Sequence, residues 1–175
     1  MTSKNNRLFL AFPAEALAPE LTRLQRRLAL PGRRIPPEQL HLTLRFLGPL
    51  TQTQSDSLLK QLPKIRLATF ELKLDRLGCF PRARVVWIGP SRVPPGLSAL
   101  SDELAARCAS LKLGPPHRAF RPHITLFRHD STQELPPITP IRYRPSRLCL
   151  YSSTLSEQGP EYHILQSWPL TDDGE

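Results

Sequence analysis

The run Leu40-His-Leu-Thr-Leu-Arg-Phe-Leu-Gly48 decides how this chain is read. Apolar and polar residues alternate from Leu40 to Leu47, and Gly48-Pro49 stops the pattern, so the run reads as a strand. Successive strand side chains point to opposite faces. His41, Thr43 and Arg45 therefore share one face, while Leu42, Leu44 and Phe46 share the core-facing one. A second run, Arg121-Pro-His-Ile-Thr-Leu-Phe127, repeats the order His, apolar, Thr, apolar. His123 and Thr125 again share a face against Ile124 and Leu126. With 5 histidines and 11 threonines in 175 residues, two chance His-x-Thr occurrences have a probability of roughly 4%. Requiring an apolar residue between, Leu after, and a strand around both lowers it further.

Outward from these two strands, the chain repeats one order of elements. Arg7-Leu-Phe-Leu-Ala-Phe-Pro13 reads as a strand ended by proline. Residues 14–30 carry Ala16, Leu17, Leu21, Leu24 and Leu28 at helical spacing, with Arg23, Arg26 and Arg27 opposite, and Pro31-Gly32 ends the helix. A basic loop with Arg33 and Arg34 leads into the first motif. After it come a short helix over 51–62, a strand over 70–75 and an apolar strand over 84–88. Residues 96–113 form a second amphipathic helix, and a loop carrying His117, Arg118 and Arg121 leads into the second motif. A hairpin closes the chain, with arms near 142–152 and 161–168 joined through Glu157-Gln-Gly-Pro160. The pattern predicts an α+β fold of two similar lobes built from antiparallel sheet. It is expected as one bilobal domain over residues 1–175.

Composition narrows the class. Net charge is +9, from 24 Lys and Arg against 15 Asp and Glu, and 19 of the basic residues are Arg. That suits a polyanionic partner, although genomic base-composition bias yields the same excess. No apolar run exceeds five residues, so no transmembrane helix is expected, and the N-terminus lacks the apolar core of a signal peptide. Cys79, Cys108 and Cys149 are widely spaced, with no CxxC or Cys/His ligand spacing. The expected compartment is the reducing cytoplasm.

Two histidines near their ordinary pKa can serve as general base and general acid at neutral pH. Hydroxyls beside them can hold the oxygens of one anion. Facing across a cleft, such a pair suits in-line displacement at phosphorus. A two-metal phosphoesterase would show several carboxylates among its histidines, and these segments have none, so neither metal nor cofactor is expected. The residues themselves leave open which histidine is the acid.

The twin motifs in matching halves resemble the 2H phosphoesterase superfamily. Within it, Leu40–Gly48 and Pro122–Leu126 resemble the RNA 2′,3′-cyclic phosphodiesterases, first described as 2′–5′ RNA ligases. Arg7–Phe12, Arg84-Val-Val-Trp-Ile-Gly89 and the chain length are similar too, so the likeness spans essentially the whole chain. It implies helices packed outside the two lobes, a cleft between them, and hydrolysis of an RNA end bearing a 2′,3′-cyclic phosphate to a 2′-phosphate, by a monomer without cofactor. It implies His41 as proton donor to the 3′ oxygen, His123 as proton acceptor from water, and Thr43 and Thr125 as phosphate-holding residues. The same site would serve 2′–5′ ligation or linkage cleavage. A reading of another class is a non-catalytic RNA-binding module on the basic surface.

Further contacts are weighed residue by residue. Alternation puts Arg45 on the motif face, where it would reach phosphate, and turns Arg128 away, although a strand end leaves Arg128 within reach of phosphate or RNA backbone. Phe120 and Arg121, just before the second motif, are candidates for stacking on a base and contacting the strand; core packing competes for Phe120. Trp87 and Trp168 read as packing residues. His129-Asp130 resembles a metal-binding dipeptide but lacks further ligands at helical spacing.

Overall fold

The computed structural model describes residues 7–114 and 119–172; His117 and Arg118 of the second basic loop lie outside them. Among the described residues, ten strands and three α-helices run in chain order. They are β1 (Arg7–Pro13), α1 (Ala18–Leu28), β2 (Arg33–Arg34), β3 (His41–Gly48), α2 (Gln52–Gln61), β4 (Leu72–Leu74), β5 (Arg76–Phe80), β6 (Val85–Gly89), α3 (Pro95–Ser110), β7 (Ile124–Arg128), β8 (Ile141–Tyr143), β9 (Arg147–Ser156) and β10 (Gly159–Pro169). The fold is α+β with antiparallel pairing between its named strands.

The strands follow one path, β10-β9-β1-β3-β7-β6-β5, with β2 added to β7 and a separate β4-β8 pair. The two expected sheets are thus continuous, but only through one residue pair, Leu42 opposite Ile124. On one side of that bridge lie β1, β9 and β10, and on the other β6 and β5. The two motif strands are neighbours at the seam.

Local chemistry sets the element ends. Pro13 closes β1 at the point where it could no longer donate to a ladder. Helix α2 begins at a capping box, with Thr51 Oγ1 accepting from Gln54 N at 3.2 Å and Gln54 Oε1 accepting from Thr51 N at 2.9 Å. Pro95 opens α3, where its missing N–H is no loss. Two differences from the sequence reading stand out. The arm expected over 142–152 is two strands, because Pro145 interrupts it; β8 leaves to pair with β4, and β9 starts afresh at Arg147. Strand β5 went unread, its alternation masked by Gly78. That glycine is needed, since a Cβ there would lie 2.2 Å from Cζ2 of Trp87.

The core fills the helix-covered face of the sheet. Leu8, Leu10 and Phe12 of β1, Leu42 and Leu44 of β3, Val86 and Ile88 of β6, and Ile124 and Leu126 of β7 pack there against Leu21 and Leu24 of α1 and Leu97, Leu100 and Leu104 of α3. The opposite face carries a small aromatic cluster of Phe9, Ala11, Cys149 and Tyr151, with Tyr162 beside it. The helices brace the strands crosswise. Gln25 of α1 donates from Nε2 to the carbonyls of Ile35, at 3.1 Å, and of Leu126 in β7, at 2.9 Å. Cys108 of α3 lies beside Arg45 of β3. Among the described residues no helix is long and apolar enough to cross a membrane.

Candidate active site

The single bridge between the motif strands fixes the site. With Leu42 opposite Ile124 in antiparallel register, His41 stands across from Thr125 and Thr43 across from His123. Paired residues share a face, so the four polar side chains lie together on the face opposite the helices. A cleft of about 410 Å³ opens there, walled by His41, Thr43, Phe46, Thr125, Arg128 and Tyr162; His123 stands beside these walls, close enough for its charge to act on His41.

Both histidines are held in the same way. His41 Nδ1 lies 2.7 Å from the carbonyl of Gln39, and His123 Nδ1 lies 2.7 Å from the carbonyl of Arg121. A carbonyl only accepts, so each ring carries its proton on Nδ1 and leaves Nε2 for exchange. Each ring also has its own aromatic support. His41 lies 5.1 Å from Phe9, 5.6 Å from Tyr151 and 5.2 Å from Tyr162, the last edge to face. His123 meets Phe80 edge to face at 5.0 Å and Trp87 at 6.1 Å. These separations are between ring centroids.

Burial disfavours the imidazolium form of both rings. It pushes His41 down to about 4, against the opposing pull of the Gln39 carbonyl and with help from the Arg128 and His123 charges. His123 is also lowered, again chiefly by burial, with the Arg121 carbonyl opposing. Burial thus favours the neutral form of both rings. An anion bound between them would offset Arg128 and favour protonation.

The residues after each motif are not where alternation put them. In the β1–β3 ladder Thr43 pairs with Ala11 and Arg45 with Leu10, so Leu44 is an extra, bulged residue. In the β6–β7 ladder Thr125 pairs with Trp87 and Phe127 with Val86, so Leu126 is the extra one. A bulge of one residue reverses the phase beyond it. The expectation for Arg45 is therefore corrected: it turns toward α3, beside Cys108 and near Gly114. Phe46, expected in the core, is 45% exposed and lines the cleft. On β7, Phe127 is fully buried, and Arg128 turns into the cleft, where Nη2 donates to Tyr162 Oη at 2.5 Å. The bulge falls on the fourth residue of both motifs, so Phe46 and Arg128 occupy matching positions.

Phe120 packs against the main core and does not wall the cleft, and Arg121 is exposed, contributing its carbonyl to His123. Trp87 and Trp168 are buried, as expected for packing residues. Asp130 accepts from Gly32 N at 2.8 Å and Thr132 N at 2.9 Å, which fixes the chain around the start of β2. Sequence reasoning missed Phe9, Phe80, Tyr151 and Tyr162. Phe9 lies one strand from His41, Tyr151 two and Tyr162 three, and Phe80 lies two strands from the β7 motif; no local pattern marks contact with a histidine across a sheet.

Comparison with known proteins agrees with this geometry. Residues 12–87 match the family model described as LigT like Phosphoesterase. A curated relative from Escherichia coli (strain K12), named RNA 2′,3′-cyclic phosphodiesterase, is 35% identical over 143 residues, covering 80% of this chain and 81% of its own length. One of the same name from Aeropyrum pernix is 30% identical over 149 residues, covering 78% and 85%. The crystal structure of E. coli LigT complexed with 3′-AMP superposes with a TM-score of 0.88 at 32% identity, covering 96% of this chain and 99% of that one. Two bulged motif strands sharing one seam, and relatives matched over most of their length, place the chain in the LigT-like phosphoesterase family.

Proposed function

We propose that this chain, acting as one bilobal unit, hydrolyses RNA ends bearing a 2′,3′-cyclic phosphate to the 2′-phosphate. The observation that carries the reading is the pair of imidazoles, each with Nδ1 fixed on the carbonyl two residues before it and Nε2 left for transfer, beside two hydroxyls and a guanidinium. The names of the relatives support the substrate class.

In this mechanism the cyclic phosphate enters with its non-bridging oxygens on the Thr43 and Thr125 hydroxyls and its charge facing Arg128. That charge raises the affinity of His41 for a proton, opposing the effect of burial. His123 Nε2 takes a proton from water as the water oxygen bonds to phosphorus. The bond from phosphorus to the 3′ oxygen breaks, and His41 Nε2 gives its proton to that oxygen. One proton is taken up and one released, so the histidines end with their states exchanged. The hydroxyls and Arg128 stabilise the charge that builds on the phosphoryl oxygens. Three free thiols fit action in a reducing cytoplasm.

The test is turnover of a nucleoside 2′,3′-cyclic phosphate with EDTA present. His41→Ala and His123→Ala should each lose at least about 10²-fold in kcat, and the product should be the 2′-phosphate. Full activity in both variants, or a 3′-phosphate product, overturns the proposal.

A further inference from the structure

Beside the cleft lies a second recess that the mechanism does not use. It holds about 80 Å³ and is walled by Arg33, Arg34, His129, Gln158 and Gly159, and it shares Arg128 and Pro160 with the main cleft. Strand β2 consists of the two arginines, and it pairs with β7 so that Arg33 stands opposite Arg128. Like charges directly opposite one another on paired strands are destabilising. Among the described residues, neither Arg33, Arg34 nor Arg128 has a carboxylate within ion-pairing distance. The place is nonetheless built. The Arg33 guanidinium donates to the Gln158 carbonyl, and it lies over Gly159, where a Cβ would come within 2.9 Å of Nη1. Gln39 ties the same turn to the loop before the first motif, donating to the Pro160 carbonyl at 3.1 Å. Asp130, through Gly32, fixes the start of β2 from the other side.

An uncompensated cross-strand arginine pair, continuous with a phosphate-binding cleft, calls for an anion between the two heads. We infer that this recess binds the internal phosphodiester on the 5′ side of the terminal nucleoside, so that the enzyme selects oligonucleotide ends over mononucleotides. The inference rests on the function proposed above. Arg128 then bridges two subsites, facing the cyclic phosphate on one side and the next phosphate on the other.

The experiment compares three substrates: adenosine 2′,3′-cyclic phosphate, a diadenosine with a phosphodiester linkage ending in the cyclic phosphate, and the same dinucleotide with a neutral methylphosphonate linkage. The wild-type protein should show a KM about tenfold lower for the charged dinucleotide than for the other two, an advantage that shrinks as salt rises. In the double variant Arg33→Gln/Arg34→Gln the advantage should vanish while kcat and KM for the mononucleotide stay within about twofold of wild type. Equal KM for charged and neutral dinucleotides in the wild type, or an advantage that survives in the double variant, overturns this inference and leaves the proposed function standing. Turnover of none of the three substrates overturns the function and this inference with it.

Discussion

The bulge at Leu126 decides whether Arg128 faces the cleft, and Gln25 holds it. Leu126 drops out of the β6–β7 ladder, so its carbonyl finds donors elsewhere: Ile35 N at 2.9 Å and Gln25 Nε2 at 2.9 Å. The same amide donates to Ile35 O at 3.1 Å. Gln25 is only 2% exposed. Replacing it by Leu, similar in size, removes both donations. Leu126 O keeps Ile35 N, so that loss costs about 0.5–1.5 kcal/mol, while Ile35 O loses its donor in a buried site, at about 1–3 kcal/mol. The expected destabilisation is thus about 1.5–4.5 kcal/mol, read as a lower urea midpoint at unchanged slope by fluorescence of Trp87 and Trp168. Gln25→Glu sharpens the test. Its carboxylate would face two carbonyls with no proton to donate, which raises its folded pKa above the unfolded value. Its stability relative to wild type should therefore be best in acid and fall as pH rises through the carboxyl range. A Gln25→Leu variant within 0.5 kcal/mol of wild type, with unchanged turnover, would refute the assignment of Gln25 as the pin of the bulge.

Three further expectations follow from the same geometry. Because burial lowers both histidines, kcat/KM should follow a bell with its maximum below pH 6.5, its limbs belonging to the pair; Arg128→Gln removes a charge that lowers His41, so it should move the maximum to higher pH while reducing the rate about 10²-fold, and an unmoved or more acidic maximum contradicts this. Tyr162→Phe keeps the ring edge on His41 but removes the acceptor for Arg128; kcat/KM should drop about 5–10-fold with stability changed by less than about 1 kcal/mol, and unchanged kinetics would show that the hydroxyl does not orient the guanidinium. Asp130 is raised by burial but lowered overall by hydrogen bonds from Thr132 and Gly32, so Asp130→Asn should lose about 1–3 kcal/mol at pH 7. The difference should close as pH falls through the depressed folded pKa, a point checked by urea titrations at pH 7 and pH 3.

Much of this was legible before any coordinates. Alternation located β1, β3 and β7, and helical spacing located α1, α2 and α3, because these elements bury one face against one core and their patterns carry a clean period. The pairing of the two motifs was legible for a different reason: His and Thr two apart on a strand share a face whatever surrounds them. The hairpin turn at Glu157-Gln158 was legible too, but the apolar pattern over 142–152 runs across Pro145 and hides the break between β8 and β9. β5 was missed where Gly78 replaces a side chain with the face of Trp87.

What could not be read is set by partners distant in the chain. A bulge is a relation between two strands, and the residues Leu44 and Leu126 look like any alternating leucine. One unpaired residue exchanges the faces of everything beyond it, which is why Arg45 left the cleft and Phe46 entered it, while Arg128 did the reverse of what strict alternation gave it. The crosswise bracing is equally hidden. Helix α1 precedes the first motif in sequence, yet Gln25 reaches 101 residues along the chain to Leu126 in the second, and Cys108 of α3 lies under Arg45 of the first. Two lobes read independently from the sequence would each keep its own helix. In the folded chain each motif strand leans on the other half's helix, so the spacing between the two histidines is set by packing that neither half holds alone. That dependence is what acid–base catalysis across a seam requires, since a proton donor and acceptor on freely moving lobes would not hold one phosphate between them.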